Sequence, residues 1–130
     1  WSMNGHVMGD SVTYDANGTW VLNHQFLRFR MEDVHSPPEY VARVFVGYDP
    51  KEEEYVAHWL DSSGGRPSKT LGYGERENGA LTFTFEYPDG PFRTTFEATS
   101  DTTWHIHMRS KADGKWSTFA EYDVVPRPHP

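Results

Sequence analysis

Residues Gly47–Gly65 read GYDPKEEEYVAHWLDSSGG. The residues that lead into this segment, Tyr40–Tyr48, are rich in the β-branched and aromatic side chains that are typical of strands. Asp49-Pro50 ends that run, because proline fixes φ and donates no backbone hydrogen bond. A second β-type run, Tyr55–Leu60, follows, and the serine and glycine residues of Ser62–Gly65 end it. The segment therefore predicts two antiparallel strands joined by a polar turn.

Similar turn signals divide the rest of the chain. Asn-Gly and Asp-Gly pairs between apolar runs predict hairpin turns, because type I′ turns need positive φ at both central residues. The signals lie at Asn17-Gly18, Pro37-Pro38, Asn78-Gly79, Asp89-Gly90-Pro91, Ser100-Asp101 and Asp113-Gly114. With the first hairpin, the runs between them predict strands at Ser2–Tyr14, Thr19–Glu32, Glu39–Tyr48, Tyr55–Asp61, Ser68–Glu77, Ala80–Tyr87, Phe92–Thr99, Thr103–Arg109 and Lys115–Val125.

Several of these runs alternate between apolar and polar residues. Leu81–Tyr87, Phe92–Phe96 and Trp104–Met108 each place apolar side chains at every second position. Because side chains of a strand alternate between its two faces, one face of each run points toward a core and the other toward water. In Thr19–Glu32 the phase slips, and a β-bulge near Asn23–Gln25 would reconcile its two halves.

The same patterns predict an all-β fold with little or no helix. No long window shows the 3.6-residue period of an amphipathic helix. About nine or ten sequential strands leave a barrel or a sandwich, and long strands in up-and-down order favour a single antiparallel barrel, since closure removes exposed edges. We expect one barrel domain over residues 1–125 and an extended, proline-rich tail over residues 126–130.

Composition excludes several classes of function. The sequence has no cysteine, which removes disulfides, thiolate zinc sites and cysteine nucleophiles. The formal charge of −7 predicts no nucleic-acid partner, since binding phosphates needs a basic face. No apolar run approaches the roughly 20 residues of a membrane span. The absence of cysteine predicts a cytoplasmic protein, with a removed leader as the open alternative because the chain begins at Trp1.

The motifs of the opening segment resemble a known family. They are Gly47-Tyr48-Asp49-Pro50, Tyr55-Val56, Trp59, Asp61-Ser62 and Gly64-Gly65, with further echoes at Gly72, Gly74, Leu81–Tyr87, Arg93-Thr94-Thr95, Trp104, Gly114, Trp116 and Glu121. With these residues the chain is similar to domain-of-unknown-function family DUF1579, a bacterial family of β-barrel domains. That family resembles the calycins, which include lipocalins and fatty-acid-binding proteins. The resemblance implies a lumen that accepts an apolar ligand, and it supplies no catalytic residue.

Aromatic side chains are the best candidates for lining such a lumen. The sequence carries five Trp, seven Tyr and eight Phe; part of this content is ordinary sheet packing, and part is available to line a pocket. A barrel of nine or ten strands is wider than side chains comfortably fill, which favours a cavity over a filled core. The candidate lumen residues are Trp20, His24, Trp59, Tyr73, Phe83, Phe85, Phe96 and Trp104.

Histidine and arginine offer weaker candidates. His105 and His107 have the i, i+2 spacing that puts two imidazoles on one face of a strand, so they could hold a metal ion or haem with His58 or His24 as a third ligand. Their parity is opposite to that of the apolar residues, so solvent exposure is the stronger interpretation. We therefore expect no resident cofactor. Arg28, Arg30 and Arg43 are expected on the outer face as surface pairs, with a lumen arginine that binds a ligand carboxylate as the alternative.

Three functions remain as hypotheses. The first is a protein that binds a small apolar or amphipathic ligand in the lumen. The second is a barrel enzyme that acts on an apolar substrate with a lumen His or Asp as general base. The third is a non-catalytic interaction module, and homodimerisation through an outer face is compatible with all three. Binding is favoured over catalysis because the sequence has no nucleophile motif such as Gly-x-Ser-x-Gly.

Overall fold

Ten β-strands make up most of the computed structural model, which describes residues 1–63 and 68–127. They are β1 (Ser2–Val7), β2 (Asp10–Val21), β3 (Phe26–Asp33), β4 (Val41–Asp49), β5 (Glu54–Asp61), β6 (Gly72–Glu77), β7 (Ala80–Tyr87), β8 (Gly90–Ala98), β9 (Trp104–Ala112) and β10 (Lys115–Val125). The described residues contain no helix, so none that could cross a bilayer. Gly64 and Gly65 of the opening segment and residues 128–130 of the expected tail lie outside the described residues.

The strands close into one antiparallel barrel in sequence order. Each strand pairs with the next along the chain, and β10 returns to pair with β1, where Met3 lies opposite Val124. Closure gives every strand two neighbours, although β5 and β6 pair only from Tyr55–Ala57 to Gly72–Gly74. The predicted all-β, up-and-down barrel of nine or ten strands with no helix is confirmed.

The interior is built from every second side chain of each strand. Phe83 and Phe85 of β7 are each 1% exposed, and Ile106 and Met108 of β9 are buried as well. Met3 of β1 is fully buried and extends the same core. These positions match the apolar parity of the sequence, so the alternation did predict which face of these strands points inward.

Most predicted turns are where the sequence signals place them, and one is not. Asn78-Gly79 and Asp113-Gly114 have positive φ at both residues, as type I′ turns require. Asn17-Gly18 instead lies inside β2, where its residues pair with Arg30 and Phe29. The hairpin turns later, at Leu22–Gln25, where three consecutive residues have positive φ. The prediction of a turn at Asn17-Gly18 was wrong, because the long β2 needs its whole length to pair with both neighbours.

Two strand boundaries also differ from prediction. The run Ser2–Tyr14 is two strands, because Met8 and Gly9 both have positive φ and reverse the chain between β1 and β2. The predicted bulge at Asn23–Gln25 is the β2–β3 turn itself, which resets the phase so that Trp20 lies opposite Leu27. A bulge does occur in β10, where the register shifts between Thr118 and Ala120.

Two glycines of β6 make room for the largest buried rings. A Cβ at Gly72 would lie 2.5 Å from the ring of Phe85, and a Cβ at Gly74 would lie 2.7 Å from the ring of Phe83. Both glycines are buried and point inward. The rings of β7 therefore fold over the glycines of β6, and the close approach explains why glycine stands there.

Replacing Gly74 with alanine should therefore destabilise the barrel. We expect Gly74→Ala to lower the free energy of unfolding by about 1–3 kcal/mol, because the new Cβ would lie 2.7 Å from the ring of Phe83 and 3.1 Å from the backbone oxygen of Thr82 and would force them to shift. Gly18→Ala is the matched control, since the nearest atoms to its Cβ lie 3.6 Å away. Urea denaturation of both variants measures the difference. Equal effects of the two substitutions would contradict this explanation of β6.

Candidate functional site

An aromatic layer crosses the interior of the barrel near its middle. The ring centroid of Phe96 lies 6.2 Å from that of Phe29 and 6.1 Å from that of Phe83, and both contacts are edge-to-face. We call these three residues the aromatic layer. It separates two chambers that share no lining residue, one at each end of the barrel.

On β7 and β8 the division between the chambers falls between two consecutive inward positions. Phe83 faces one chamber and Phe85 the other, although only one residue separates them on β7. The same step separates Phe96 from Thr94 on β8. Because inward side chains recur every second residue along a strand, a step of two residues is enough to cross the layer.

The first chamber, here named the tryptophan chamber, has a volume of about 590 Å³. Its mouth carries the indole rings of Trp1, Trp20 and Trp104, which remain 38–59% exposed. Its walls are mostly apolar. They comprise Gly18, Leu27, Phe29, Val44, Val46, Tyr55, Gly79, Ala80, Leu81, Phe83, Phe96, Ala98, Ile106 and Val124.

Arg76 is the one charged side chain among the described lining residues of the tryptophan chamber. It follows Gly72 and Gly74 at the same parity of β6, so it points to the interior side near the mouth. Within the described residues it forms no salt bridge. The mouth therefore combines aromatic surface with a guanidinium group.

The three arginines considered from the sequence lie on the outer wall. Arg30 forms salt bridges with Asp15, at 3.4 Å, and with Glu32. Arg43 lies opposite in parity to buried Ala42 and donates to the carbonyl of that residue at 3.1 Å. Arg28 shares the parity of Arg30 on β3. The expectation that these arginines point outward is confirmed.

The second chamber, here named the tyrosine chamber, has a volume of about 500 Å³. Its described lining is rich in ring side chains and contains one carboxylate. The lining residues are Val7, Met8, Tyr14, Met31, Tyr40, Trp59, Asp61, Ser63, Ser68, Phe85, Tyr87, Phe92, Thr94, Met108, Phe119 and Tyr122. No Lys, Arg or His is among the residues that the structure places in this lining.

A short hydrogen-bonded chain lines the mouth of the tyrosine chamber. Trp59 Nε1 donates to the hydroxyl of Tyr40 at 3.1 Å, and that hydroxyl donates to Asp61 Oδ2 at 2.8 Å. The backbone N–H of Ser63 donates to Asp61 Oδ1 at 3.1 Å. Both oxygens of the carboxylate therefore have a partner, and the carboxylate is held at the rim in one orientation.

Deeper in the same chamber, one polar atom has no partner. Thr94 is 1% exposed, and its hydroxyl makes no hydrogen bond within the part of the chain that the structure describes. An unmade hydrogen bond on a buried hydroxyl costs about 1–3 kcal/mol. The Thr94 hydroxyl is therefore available to a polar group inside the chamber.

Burial raises the pKa of the chamber's tyrosines. It is the largest cause of the raised pKa of Tyr40 and of Tyr122, and it also raises the pKa of Tyr14. Burial, followed by the negative charge of Asp61, raises the pKa of Tyr87 to about 12. These phenols are thus neutral hydrogen-bonding groups at neutral pH.

The structure places six of the eight candidate lumen residues in a chamber. Trp20, Phe83, Phe96 and Trp104 line the tryptophan chamber, whereas Trp59 and Phe85 line the tyrosine chamber. Tyr73 and His24 were predicted in the lumen and line neither. Tyr73 is 51% exposed on the outer wall, because Gly72 and Gly74 take the inward positions of β6. His24 lies in the exposed β2–β3 turn, with its ring 6.1 Å from that of Trp20.

The candidate metal ligands lie outside the barrel. His105 and His107 point away from the core, at 3.1 Å from Asp123 and 2.9 Å from Thr118 respectively. His58 also points outward, and its Nε2 lies 2.8 Å from the carbonyl of Ser68. His129 lies outside the described residues, and no other histidine lines a chamber. A histidine general base or haem ligand inside the barrel thus has no candidate among the described residues.

One exposed cluster has ligand atoms close enough to share a cation. The ligand atoms of Asp33, His35 and Glu39 lie within 4.8 Å of one another in the β3–β4 connection. A local turn accounts for this geometry, because the backbone N–H of His35 donates to Asp33 Oδ1 at 2.7 Å. The hydrogen bond and negative charge of Asp33 also raise the pKa of the His35 imidazole.

Sequence reasoning missed several of the groups that define the two chambers. Arg76 shares the inward parity of Gly72 and Gly74, and that parity could have identified it. Tyr122 alternates with charged residues in β10, so its inward parity could also have been read from the sequence. Tyr40 and Asp61 were each named, but they are 21 residues apart and only the β4–β5 pairing brings them together.

One family model matches nearly the whole chain. The family model of DUF1579, described as a protein of unknown function, matches residues 2–125. The match covers all ten strands, and the chain belongs to this family. No curated protein matches the chain.

The raised pKa values of the buried tyrosines predict alkaline sensitivity. The ordinary tyrosine pKa is 10.0, so above that pH the unfolded chain releases protons that the folded chain retains. The free energy of unfolding should therefore fall as pH rises from about 9 to about 11, by up to about 1.4 kcal/mol per pH unit for each fully retained proton. Urea denaturation across this range measures the slope.

Tyr40→Phe should reduce that slope, because it removes one of the retained protons. Tyr73→Phe, which removes an exposed hydroxyl from the outer wall, is the matched control. If the stability of Tyr40→Phe fell with pH at the wild-type slope, the buried Tyr40 phenol would not be a source of the alkaline sensitivity.

Proposed function

We propose that this DUF1579 protein binds a small amphipathic molecule in the tryptophan chamber, with the apolar part inside and an anionic headgroup beside Arg76. The observation that supports this function is the chamber itself. It is an apolar space of about 590 Å³ that opens at one end of the barrel. Its volume lies within the range of small-molecule sites, which is about 300–1,000 Å³.

The walls of the chamber favour an apolar body. Leu27, Val46, Leu81 and Ile106 supply aliphatic surface, and the aromatic layer closes the inner end. Each Å² of apolar ligand surface removed from water contributes about 25 cal/mol. The exposed indoles at the mouth would cover the part of the ligand that emerges, and they would lose their own contact with water.

Arg76 favours an anionic headgroup over a neutral one. A guanidinium group forms paired hydrogen bonds with carboxylate, sulfate or phosphate oxygens. Because Arg76 is exposed at the mouth, the ion pair is screened and contributes about 1 kcal/mol or less. Most of the affinity would come from the apolar walls, and Arg76 would supply selectivity.

The same lining favours binding over catalysis. Among its described residues the tryptophan chamber presents no carboxylate, histidine, serine or threonine. Its hydroxyl group is the phenol of Tyr55, and its cation is Arg76. A general base or a nucleophile would have to come from the ligand or from outside this chamber.

Binding of decanoate tests the proposal. We expect decanoate and decan-1-ol to change the fluorescence of the indoles at the mouth and to saturate at one molecule per chain. Ala98→Trp should lower the affinity for both probes by about tenfold or more, because the added ring occupies the mouth of the chamber. Ala112→Trp places the same ring at the other end of the barrel and serves as the matched control. Failure of wild-type protein to bind either probe would refute the proposal.

Arg76→Gln tests the role of the headgroup. The variant should lower the affinity for decanoate by about two- to fivefold and leave the affinity for decan-1-ol unchanged, since only the ion pair is lost. Lys51→Gln removes an exposed charge from the β4–β5 turn at the same end of the barrel and is the control. If Arg76→Gln lowered the affinity for both probes equally, Arg76 would have no ionic role in binding.

A further inference from the structure

The tyrosine chamber has the opposite charge character from the tryptophan chamber. Its one charged side chain among the described lining residues is the carboxylate of Asp61. An anionic ligand that entered here would meet a like charge, whereas a cation would be attracted. The two ends of the barrel therefore present different recognition chemistry.

Aromatic rings surround the space behind Asp61. The centroid of the Tyr14 ring lies 5.8 Å from that of Tyr40 and 5.6 Å from that of Tyr122. On another wall, Phe92 and Phe119 meet at 5.4 Å. Ring faces attract organic cations through their quadrupoles, and an aromatic cage beside a carboxylate is suited to an ammonium group.

We propose that the tyrosine chamber is a second binding site, which takes a protonated organic amine. The ammonium group binds Asp61 and the Tyr40 hydroxyl oxygen, and the apolar body lies among Phe85, Phe92 and Phe119. This site does not depend on the function proposed for the tryptophan chamber, because the two chambers share no lining residue.

The hydrogen-bonding groups of the chamber fit an amine better than an anion. Tyr40 donates its proton to Asp61 and accepts one hydrogen bond from Trp59 Nε1, so its oxygen keeps one further lone pair for an N–H group of a ligand. Asp61 is oriented by Tyr40 and by the N–H of Ser63, and a carboxylate can accept further hydrogen bonds. The partnerless hydroxyl of Thr94 lies in the same lining and offers a further acceptor or donor to a polar substituent.

The charge of Asp61 acts within the chamber as well as at its rim. It contributes to the raised pKa of Tyr87, whose ring lines the chamber from β7. A charge that disfavours a phenolate at that position favours a cation there. The same field would select between ligands that differ only in charge.

Three probes of similar shape test the site in the wild-type protein. They are 2-phenylethylammonium, neutral 3-phenylpropan-1-ol and anionic 3-phenylpropanoate, each titrated by calorimetry near neutral pH. We expect the ammonium ion to bind at one molecule per chain, the alcohol more weakly and the anion most weakly. Raising the salt concentration should weaken binding of the ammonium ion more than binding of the alcohol. Equal affinities for the three probes, or no binding of the ammonium ion, would overturn the proposal.

Asp61→Asn should lower the affinity for 2-phenylethylammonium by about tenfold and leave the affinity for the alcohol unchanged. Glu86→Gln is the matched control, because it removes an exposed carboxylate near the same end of the barrel. Equal losses in the two variants would also overturn the proposal. Ala98→Trp, which fills the other mouth, should leave ammonium binding intact, so failure at one chamber is distinguished from failure at the other.

Discussion

Closure of ten strands is the constraint on which the rest of the structure depends. Once β10 pairs with β1, every strand must turn alternate side chains into one enclosed space. The rings of Phe29, Phe83 and Phe96 meet in this space, and a chamber remains at each end of the barrel. The glycines of β6 let the rings of β7 reach this packing, and the two ends remain open.

The division of the interior gives one barrel two chemically different ends. Arg76 is the charged group at one mouth and Asp61 at the other, among the residues that the structure describes. Both mouths are surrounded by rings, so each combines apolar surface with one sign of charge. A ligand that suits one end would meet the wrong charge at the other, and each proposed site therefore carries its own selectivity.

Local patterns in the sequence predicted the strands and their inward faces. The alternation around Phe83, Phe96 and Ile106 depends on neighbours within one strand, so the sequence alone shows it. The contact between Tyr40 and Asp61 could not be predicted in this way, because it depends on the register between β4 and β5. The two-chamber interior likewise arises from the stagger of all ten strands, which no single stretch of sequence encodes.

A crystal structure under xenon pressure tests the two-chamber interior most directly. Xenon enters apolar cavities without needing a specific ligand. We expect xenon on both sides of the layer formed by Phe29, Phe83 and Phe96, with none between the rings. A filled interior without xenon, or continuous solvent through the centre of the barrel, would contradict the two-chamber interior.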